Sequence, residues 1–151
     1  MPTTRRSRTL AADAQRVWEL VEDPHHMPRW WPGVQRMEGV DEERFTQVFI
    51  TKRGRPVRVD LRLLASEAPG SGGDAWARRE WAQEIAGTPF ERVLREALTE
   101  IVLEPDGAAT RVTIVQRQRL RGASRTGGLL LRRATKKKLD EALDGLEQIL
   151  G

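Results

Sequence analysis

Two glutamines on one predicted strand are the residues best placed for ligand chemistry. Val112, Ile114, Gln116, Gln118 and Leu120 occupy alternate positions, and the charged Arg111, Arg117 and Arg119 share the opposite parity. Alternate side chains share one face of a strand, so the apolar parity predicts that both amides face a core. There they could orient a ligand carbonyl or hydroxyl. The alternative is that they pair with backbone or water inside an ordinary core.

Tryptophan dominates the aromatic residues, since the chain has five Trp, three Phe and no Tyr. Trp30 and Trp31 end a predicted short helix. Trp76 and Trp81 share one predicted strand but have opposite parity, so they lie on opposite faces. If Trp81 faces inward, it lines the core or a cavity.

If the strand had the opposite orientation, charged side chains would face inward. If Trp76 faces the core, Arg78 and Glu80 face it too, and buried charges of this kind are candidates for general acid–base chemistry. The alternative is that both belong to the solvated face of the sheet, which is the reading we favour. Enzymatic activity is therefore left open, with binding preferred.

Other reactive constellations are missing from the sequence. The chain has no cysteine, which excludes disulfides and thiolate chemistry. The adjacent His25 and His26 cannot both face one ion from a helix, and the sequence suggests no third ligand nearby. No serine has the flanking glycines of a nucleophile elbow, which argues against a serine hydrolase. The Gly70–Gly73 stretch lies between predicted strands and does not begin a helix, so it is not a phosphate-binding loop. We therefore expect no metal and no cofactor.

The elements that position these residues begin with a strand and two short helices. Residues 5–10 predict a strand, and Asp13 is a suitable N-cap for a helix whose apolar face recurs from Ala14 to Val21. Asp23 before Pro24 predicts a second short helix, from Pro24 to about Trp31. Pro32-Gly33 should end it.

A meander of strands is predicted for the middle of the chain. Turn-forming sequences separate residues 35–40, 45–51, 57–65 and 75–85, and Pro105-Asp106-Gly107 joins 98–104 to 110–120 in a last hairpin. The clearest alternation is Val57, Val59, Leu61 and Leu63, which predicts a strand with one buried face. The segment from Phe90 to Ile101 fits helical spacing equally well, so periodicity alone leaves it undecided.

The C-terminal segment predicts the longest helix. Apolar residues recur at helical spacing over 129–150, following a predicted flexible loop at 122–128. Leu131 and Thr135 begin the apolar face of this helix.

Positive charge is concentrated around the same loop and helix. Residues 107–139 contain ten Arg and Lys and no acid, although the net charge of the whole chain is only +4. This asymmetry suggests an anionic partner, and the alternative is a solvated basic face. The candidate contact residues for an anionic membrane surface are Arg125, Arg132, Arg133, Lys136 and Lys137, with Lys138 beside them. Nucleic acid is the less favoured partner, because the basic segment contains no aromatic residue to stack on bases.

Length and composition predict one domain covering residues 1–151, large enough for a single hydrophobic core. No apolar run approaches the ~20 residues of a spanning helix, and the polar, basic residues 1–8 do not resemble a secretory signal. We therefore expect a cytoplasmic protein. The predominance of arginine over lysine is typical of a GC-rich bacterial genome.

The order of the elements and several short motifs resemble the START-like superfamily, also called SRPBCC or the polyketide cyclase/dehydrase and lipid transport group. The residues on which this resemblance rests are the Ala11–Val21 passage with its Val17-Trp18 pair, Asp23-Pro24, Trp31-Pro32-Gly33-Val34, and the hairpin from Glu104 to Thr113. Each motif is weak alone, but their order covers nearly the whole chain. The resemblance also favours a strand for residues 93–103.

The resemblance implies an α+β helix-grip fold, in which a curved antiparallel sheet of about seven strands wraps a long C-terminal helix, with two short helices after the first strand. It implies a cavity between sheet and helix that binds an apolar or amphipathic molecule such as a lipid or polyketide; the alternative is a cyclase or dehydrase using the same cavity. The candidate ligand-binding residues are Trp30, Trp31, Val59, Leu61, Trp81, Ile114, Gln116, Gln118, Leu131 and Thr135. The ligand's identity and the oligomeric state stay open.

Overall fold

The computed structural model describes residues 2–70, 76–122 and 125–151, with only the backbone given at 125 and 126. Strand β1 (Thr3–Leu10) is followed by helix α1 (Ala14–Val21), a 3-10 turn (Pro24–His26) and the short helix α2 (Met27–Trp30). Strands β2 (Val34–Glu38), β3 (Arg44–Ile50), β4 (Pro56–Glu67) and β5 (Ala77–Gln83) come next. A 3-10 turn (Pro89–Arg92), β6 (Leu94–Asp106), β7 (Ala109–Leu120) and helix α3 (Arg125–Leu150) complete the chain.

The described strands form one antiparallel sheet in the order β1-β7-β6-β5-β4-β3-β2. Strands β2 to β7 are therefore a meander, and β1 returns to pair with β7. Register shifts interrupt the pairing in β2, β4 and β6. Such bulges increase local twist and bend a sheet, which allows one face to wrap around a helix. This is the α+β helix-grip architecture that the element order predicts.

The short helices begin where the sequence predicts. Asp13 caps α1, because its Oδ1 accepts a hydrogen bond of 2.8 Å from the Arg16 backbone N–H. Asp23 accepts one of 2.9 Å from the His25 N–H. The predicted second helix is divided, however, into the 3-10 turn and the single turn of α2. Pro28, at the start of α2, has no N–H to give, which favours this division.

Helix α3 packs its apolar face on the concave side of the sheet. Leu139, Ala142, Leu143 and Leu146 are fully buried there, together with residues of α1, α2 and the sheet. At the sheet edge, the Nε of Arg6 on β1 lies 2.8 Å from an Asp140 carboxylate oxygen of α3. Sheet, short helices and α3 therefore share one core.

One predicted boundary needs correction near α3, and the segment before β6 that periodicity left undecided is resolved. The predicted loop at 122–128 is too long, because α3 begins at Arg125 and so includes Gly127 and Gly128; residues 123 and 124 lie outside the described part. Two glycines each cost about 1 kcal/mol in a helix but do not stop one that packing stabilises further along. The undecided segment is a 3-10 turn at Pro89–Arg92 and a strand from Leu94, as the resemblance favours.

Candidate functional site

A cavity of about 350 Å³ lies between the concave face of the sheet and α3. The described wall residues come from strands β3 to β7, the end of α2, the 3-10 turn before β6 and α3. The lining residues are Trp31, Gln47, Phe49, Val57, Val59, Leu61, Trp81, Gln83, Phe90, Leu94, Ala97, Thr99, Gln116, Gln118 and Lys138. The wall is largely aliphatic and aromatic, with a few amides, one hydroxyl and one ammonium group.

Aromatic rings form one end of the cavity. The ring centroid of Trp81 lies 6.1 Å from that of Trp31 and 6.1 Å from that of Phe45, both in edge-to-face geometry. Trp81 is only 2% exposed. Since Trp81 faces inward, Trp76 lies on the outer face and is 52% exposed.

This parity also places Arg78 and Glu80 on the outer face. Arg78 pairs there with Glu100 and lies 3.2 Å from Glu80, and the hydrogen bond to Glu100 contributes most to a raised pKa of the Arg78 guanidinium. The acid–base role considered for an inward Arg78 and Glu80 therefore has no geometric basis.

The charged residue that does face inward on β5 is Arg79. Its side chain is almost completely buried, its Nη1 donates to Ser66 Oγ at 2.9 Å, and burial lowers its pKa, against the opposing charges of Glu22 and Asp23. Arg79 is not a lining residue of the cavity. It belongs to the region beneath the end of α1.

The polar residues of the wall are partly paired with one another. Gln116 Nε2 donates to Thr99 Oγ1 at 2.9 Å. The Thr135 hydroxyl on α3 lies 2.8 Å from the Leu131 carbonyl and 3.1 Å from Gln118 Oε1, and it donates to one of them at a time. These contacts join β6, β7 and α3 across the cavity.

Two buried polar atoms in the wall keep no protein partner. Gln116 Oε1 and Gln83 Nε2 have no hydrogen-bond partner among the described residues. Which end of an amide is oxygen depends on the hydrogen-bond network, so each of these groups is best regarded as an amide with one unused end. An unpaired buried polar group is costly, which makes both amides candidates for contact with a water or ligand.

Lys138 is the charged residue among the described residues that line the cavity. It lies on α3 three residues after the buried Thr135 and four before the buried Ala142, and its side chain is half-buried. Burial lowers the pKa of its ammonium group. The basic stretch suggested by the sequence therefore divides: Lys138 faces the cavity, whereas Arg132, Arg133, Lys136 and Lys137 are exposed.

The predicted ligand-binding residues fall into two groups. Six of them line the cavity: Trp31, Val59, Leu61, Trp81, Gln116 and Gln118. Trp30 and Ile114 are instead buried in the core, Leu131 is half-buried on α3, and Thr135 contacts the wall through Gln118.

Several residues that line the cavity were not predicted from the sequence. Gln47 and Phe49 have the same parity as Phe45, and Gln83 has the same parity as Trp81, so strand parity alone could have identified these three. The spacing of Lys138 to Thr135 and Ala142 places it only at the border of the apolar stripe of α3, and a lysine in that position is normally assigned to the solvent-exposed face. The Gln47 Nε2 donates to Met27 Sδ at 3.3 Å in the structure.

A surface groove of about 570 Å³ adjoins the cavity. It runs between the start of β4 and the 3-10 turn before β6, and it shares Val57 and Phe90 with the cavity wall. Val93 on its rim is 56% exposed. Val57 and Phe90 are thus the side chains that separate the cavity from this groove.

Comparison with known proteins identifies the family. A family model described as polyketide cyclase / dehydrase and lipid transport matches residues 1–151. The chain belongs to this family. No curated protein matches it significantly.

Solved structures agree with the family's fold. The di-domain ARO/CYC BexL from the BE-7585A biosynthetic pathway is 22% identical with a TM-score of 0.76, and the match covers 98% of this chain and 46% of that one. A START superfamily protein from Mycobacterium smegmatis is 10% identical with a TM-score of 0.75, over 98% and 96% of the two chains. A protein from Thermobifida fusca is 22% identical with a TM-score of 0.73, over 100% and 94%. The chain therefore spans less than half of the di-domain protein.

The described residues contain no cluster of three or more His, Cys, Asp or Glu residues that could hold a metal ion. His25 instead places its Nδ1 3.0 Å from Asp23 Oδ1. None of the described helices is long and apolar enough to span a membrane.

Proposed function

We propose that this member of the polyketide cyclase/dehydrase and lipid transport family binds an apolar or amphipathic small molecule in the cavity between the sheet and α3. The supporting observation is the cavity itself: about 350 Å³, within the size range of small-molecule sites, with a mainly apolar wall and a few convergent polar groups. The unused ends of Gln83 and Gln116 would orient a carbonyl or hydroxyl of the ligand.

A fluorescence titration tests this proposal. Trp31 and Trp81 line the cavity, whereas Trp76 is exposed, so the variant Trp76→Phe removes a solvent-exposed contribution to the emission. We expect N-phenyl-1-naphthylamine to bind saturably at one site, with quenching of tryptophan emission and enhancement of its own. Native mass spectrometry of the freshly purified protein should show a retained small molecule. The lack of saturable binding by the probe would reject the proposal.

A second candidate is a cyclase or dehydrase reaction in the same cavity, and the observation that favours it is Lys138. Burial lowers the pKa of its side chain, which increases the fraction of neutral amine able to act as a base. In a dehydration, the amine would take a proton from the carbon next to a carbonyl. The electrons of that C–H bond would form the C=C bond, and the β-hydroxyl would leave as water with a proton returned by the ammonium group.

This candidate predicts turnover of a β-hydroxyketone to an enone, followed by ultraviolet absorbance. The rate should rise with pH as the ammonium group of Lys138 loses its proton. Lys138→Met should lower the rate by about 10²-fold or more, a typical contribution of a general base. Saturable binding of the β-hydroxyketone with no enone formed above the uncatalysed rate would exclude it for this substrate class.

Contact with an anionic membrane is a separate proposal for the exposed side of α3. Leu129 and Leu130 are 56% and 61% exposed, and the exposed Arg132, Arg133 and Lys136 follow within two turns. Exposed leucines beside cations are typical of a helix that lies at a lipid interface. Lys137 is also exposed, with its Nζ 3.9 Å from Glu141, and the side chain of Arg125 lies outside the described residues.

Vesicle sedimentation checks this proposal. We expect the protein to sediment with vesicles rich in phosphatidylserine but not with phosphatidylcholine alone. Each basic residue near the surface contributes about 1 kcal/mol, so changing Arg132, Arg133, Lys136 and Lys137 to Gln should nearly abolish sedimentation. Leu129→Ser with Leu130→Ser should weaken it at unchanged net charge. Equal sedimentation with both vesicle types, or salt-dependent binding to nucleic acid without any to lipid, would contradict the proposal.

A further inference from the structure

Lys138 is the single charged residue among the described residues that line the cavity. The other lining residues come from α2, the five strands β3 to β7 and the 3-10 turn before β6, and every one of them is apolar, an amide or a hydroxyl. On α3 itself, the nearest acid one turn away is Glu141, which is exposed and lies 3.9 Å from the Lys137 ammonium. Asp140 is held by Arg6 at the sheet edge. No described carboxylate therefore faces Lys138.

The ammonium group also has no salt bridge and no hydrogen bond to any described residue. This differs from the buried Arg79 on the same face of the sheet, whose guanidinium donates to Ser66 and lies near the opposing charges of Glu22 and Asp23. Desolvation is the cause that lowers the pKa of Lys138, with no charged neighbour acting on it. Lys138 is thus a cation beside an apolar cavity, and its ammonium group makes no hydrogen bond or salt bridge with the described residues.

An unpaired cation beside an apolar cavity is unfavourable unless an anion pairs with it. Removing an ammonium group from water costs free energy, and an anion at hydrogen-bond distance recovers much of it because the surroundings screen the attraction weakly. The apolar wall could bind a neutral molecule without any lysine. The lysine adds affinity only for a molecule with negative charge at the right place.

We propose that the cavity selects ligands with an anionic oxygen group, a carboxylate or an acidic enol, on an apolar body, and that Lys138 pairs with that group. The apolar body would lie against Trp31, Trp81 and the aliphatic wall. This inference rests on the proposed cavity binding and specifies its substrate class. Carboxylate and enolate share the chemistry that Lys138 recognises, so the test contains both.

Matched pairs of naphthalene probes separate charge from shape. We would compare 2-naphthoate with the neutral 2-naphthamide, and the acidic enol 2-hydroxy-1,4-naphthoquinone with its neutral 2-methoxy ether, by competition against N-phenyl-1-naphthylamine at neutral pH. A hydrogen bond to a charged group contributes about 1.5–3 kcal/mol, so the acid of at least one pair should bind about tenfold or more tightly than its neutral partner. The pair that discriminates identifies the group as carboxylate or enol.

The variant Lys138→Met keeps an unbranched side chain of nearly the same length and removes its charge. It should reduce the acid's advantage to near unity and leave the neutral probe's affinity the same or higher. Lys52→Met is the matched control, because it removes the same charge from an exposed turn between β3 and β4. The control should keep the full preference of the native protein.

The pH dependence gives an independent readout. The ammonium of Lys138 exists below its pKa, which is lowered, so the acid's affinity should fall as pH rises through that pKa while the neutral probe's affinity stays constant. In the free protein, unfolding releases the buried cation to water. Lys138→Met should therefore be more stable than the native protein at neutral pH, and the difference should shrink as pH rises; Lys52→Met should show neither effect.

Each result decides a different statement. Equal binding of acid and neutral probes by the native protein, or a preference that survives in Lys138→Met, would overturn the inference and leave the cavity proposal intact. If N-phenyl-1-naphthylamine binds but neither acid does, the inference is likewise overturned and the cavity proposal stays intact. If no probe binds at all, the cavity proposal and the inference both fail.

Discussion

Replacing Gly145 with alanine is expected to destabilise the protein by about 2–3 kcal/mol, although alanine normally favours a helix over glycine by about 1 kcal/mol. Gly145 lies in the C-terminal part of α3, where the helix crosses α2. A Cβ at this position would lie 2.5 Å from the Trp30 carbonyl oxygen and 2.8 Å from the Trp30 Cα. These are backbone atoms, so relief requires α2 or α3 to move.

The same helix supplies the control for this prediction. A Cβ on Gly128 would meet no atom within 4 Å, so Gly128→Ala should stabilise the protein slightly through helix propensity alone. Thermal unfolding should show a midpoint lower by roughly 5–10 °C for Gly145→Ala, and an unchanged or higher one for Gly128→Ala. A Gly145→Ala protein as stable as the native one would mean that α2 and α3 are not packed this closely.

The close crossing also bears on the cavity. Trp31 follows Trp30 directly and lines the cavity, with its ring centroid 5.6 Å from that of Trp30. A shift of α2 away from α3 would displace that part of the wall. We therefore expect any folded Gly145→Ala protein to bind N-phenyl-1-naphthylamine more weakly than the native protein.

Filling the cavity should weaken ligand binding strongly without unfolding the protein. Ala97 lines the cavity from β6, where it pairs with Gln118 of β7, so Ala97→Phe would place a ring in the space that a ligand would use. Burying an aromatic ring contributes about 1.5–3 kcal/mol, so a ligand denied that burial should bind about tenfold to a hundredfold more weakly. Titration with N-phenyl-1-naphthylamine measures the loss.

Ala82→Phe is the matched control. Ala82 alternates with the inward Trp81 on β5 and pairs with Leu98, so its side chain lies on the outer face of the sheet. The control should bind the probe like the native protein. If Ala97→Phe is folded by circular dichroism and still binds the probe normally, the binding site lies elsewhere.

The roles of the polar wall groups follow from their contacts. Gln116 is fixed by Thr99, and Gln118 is linked through Thr135 to α3, so both amides are held by partners on other elements. Side chains held in this way can orient a ligand at a smaller entropic cost than free ones. Lys138 has no such partner among the described residues, which leaves its charge available.

The sequence by itself determined which residues share a face. Alternation in Val57, Val59, Leu61 and Leu63 and in the last strand has the period of a strand, and the recurrence over 129–150 has the period of a helix; both periods are properties of the local backbone. The caps Asp13 and Asp23 act on their own neighbouring N–H groups. Features of this kind need no knowledge of distant residues, which is why the sequence predicts the element order and the family.

Only the tertiary structure decided what those faces enclose. The parity of β5 was ambiguous because both Trp76 and Trp81 are large and apolar; the pairing with β4 and β6 and the packing against Trp31 place Trp81 inside. Lys138 borders the apolar stripe of α3, and the angle at which the helix crosses a bulged, curved sheet decides whether a bordering residue meets solvent or the cavity. A cavity is a space left between elements far apart in sequence, so no local period encodes it.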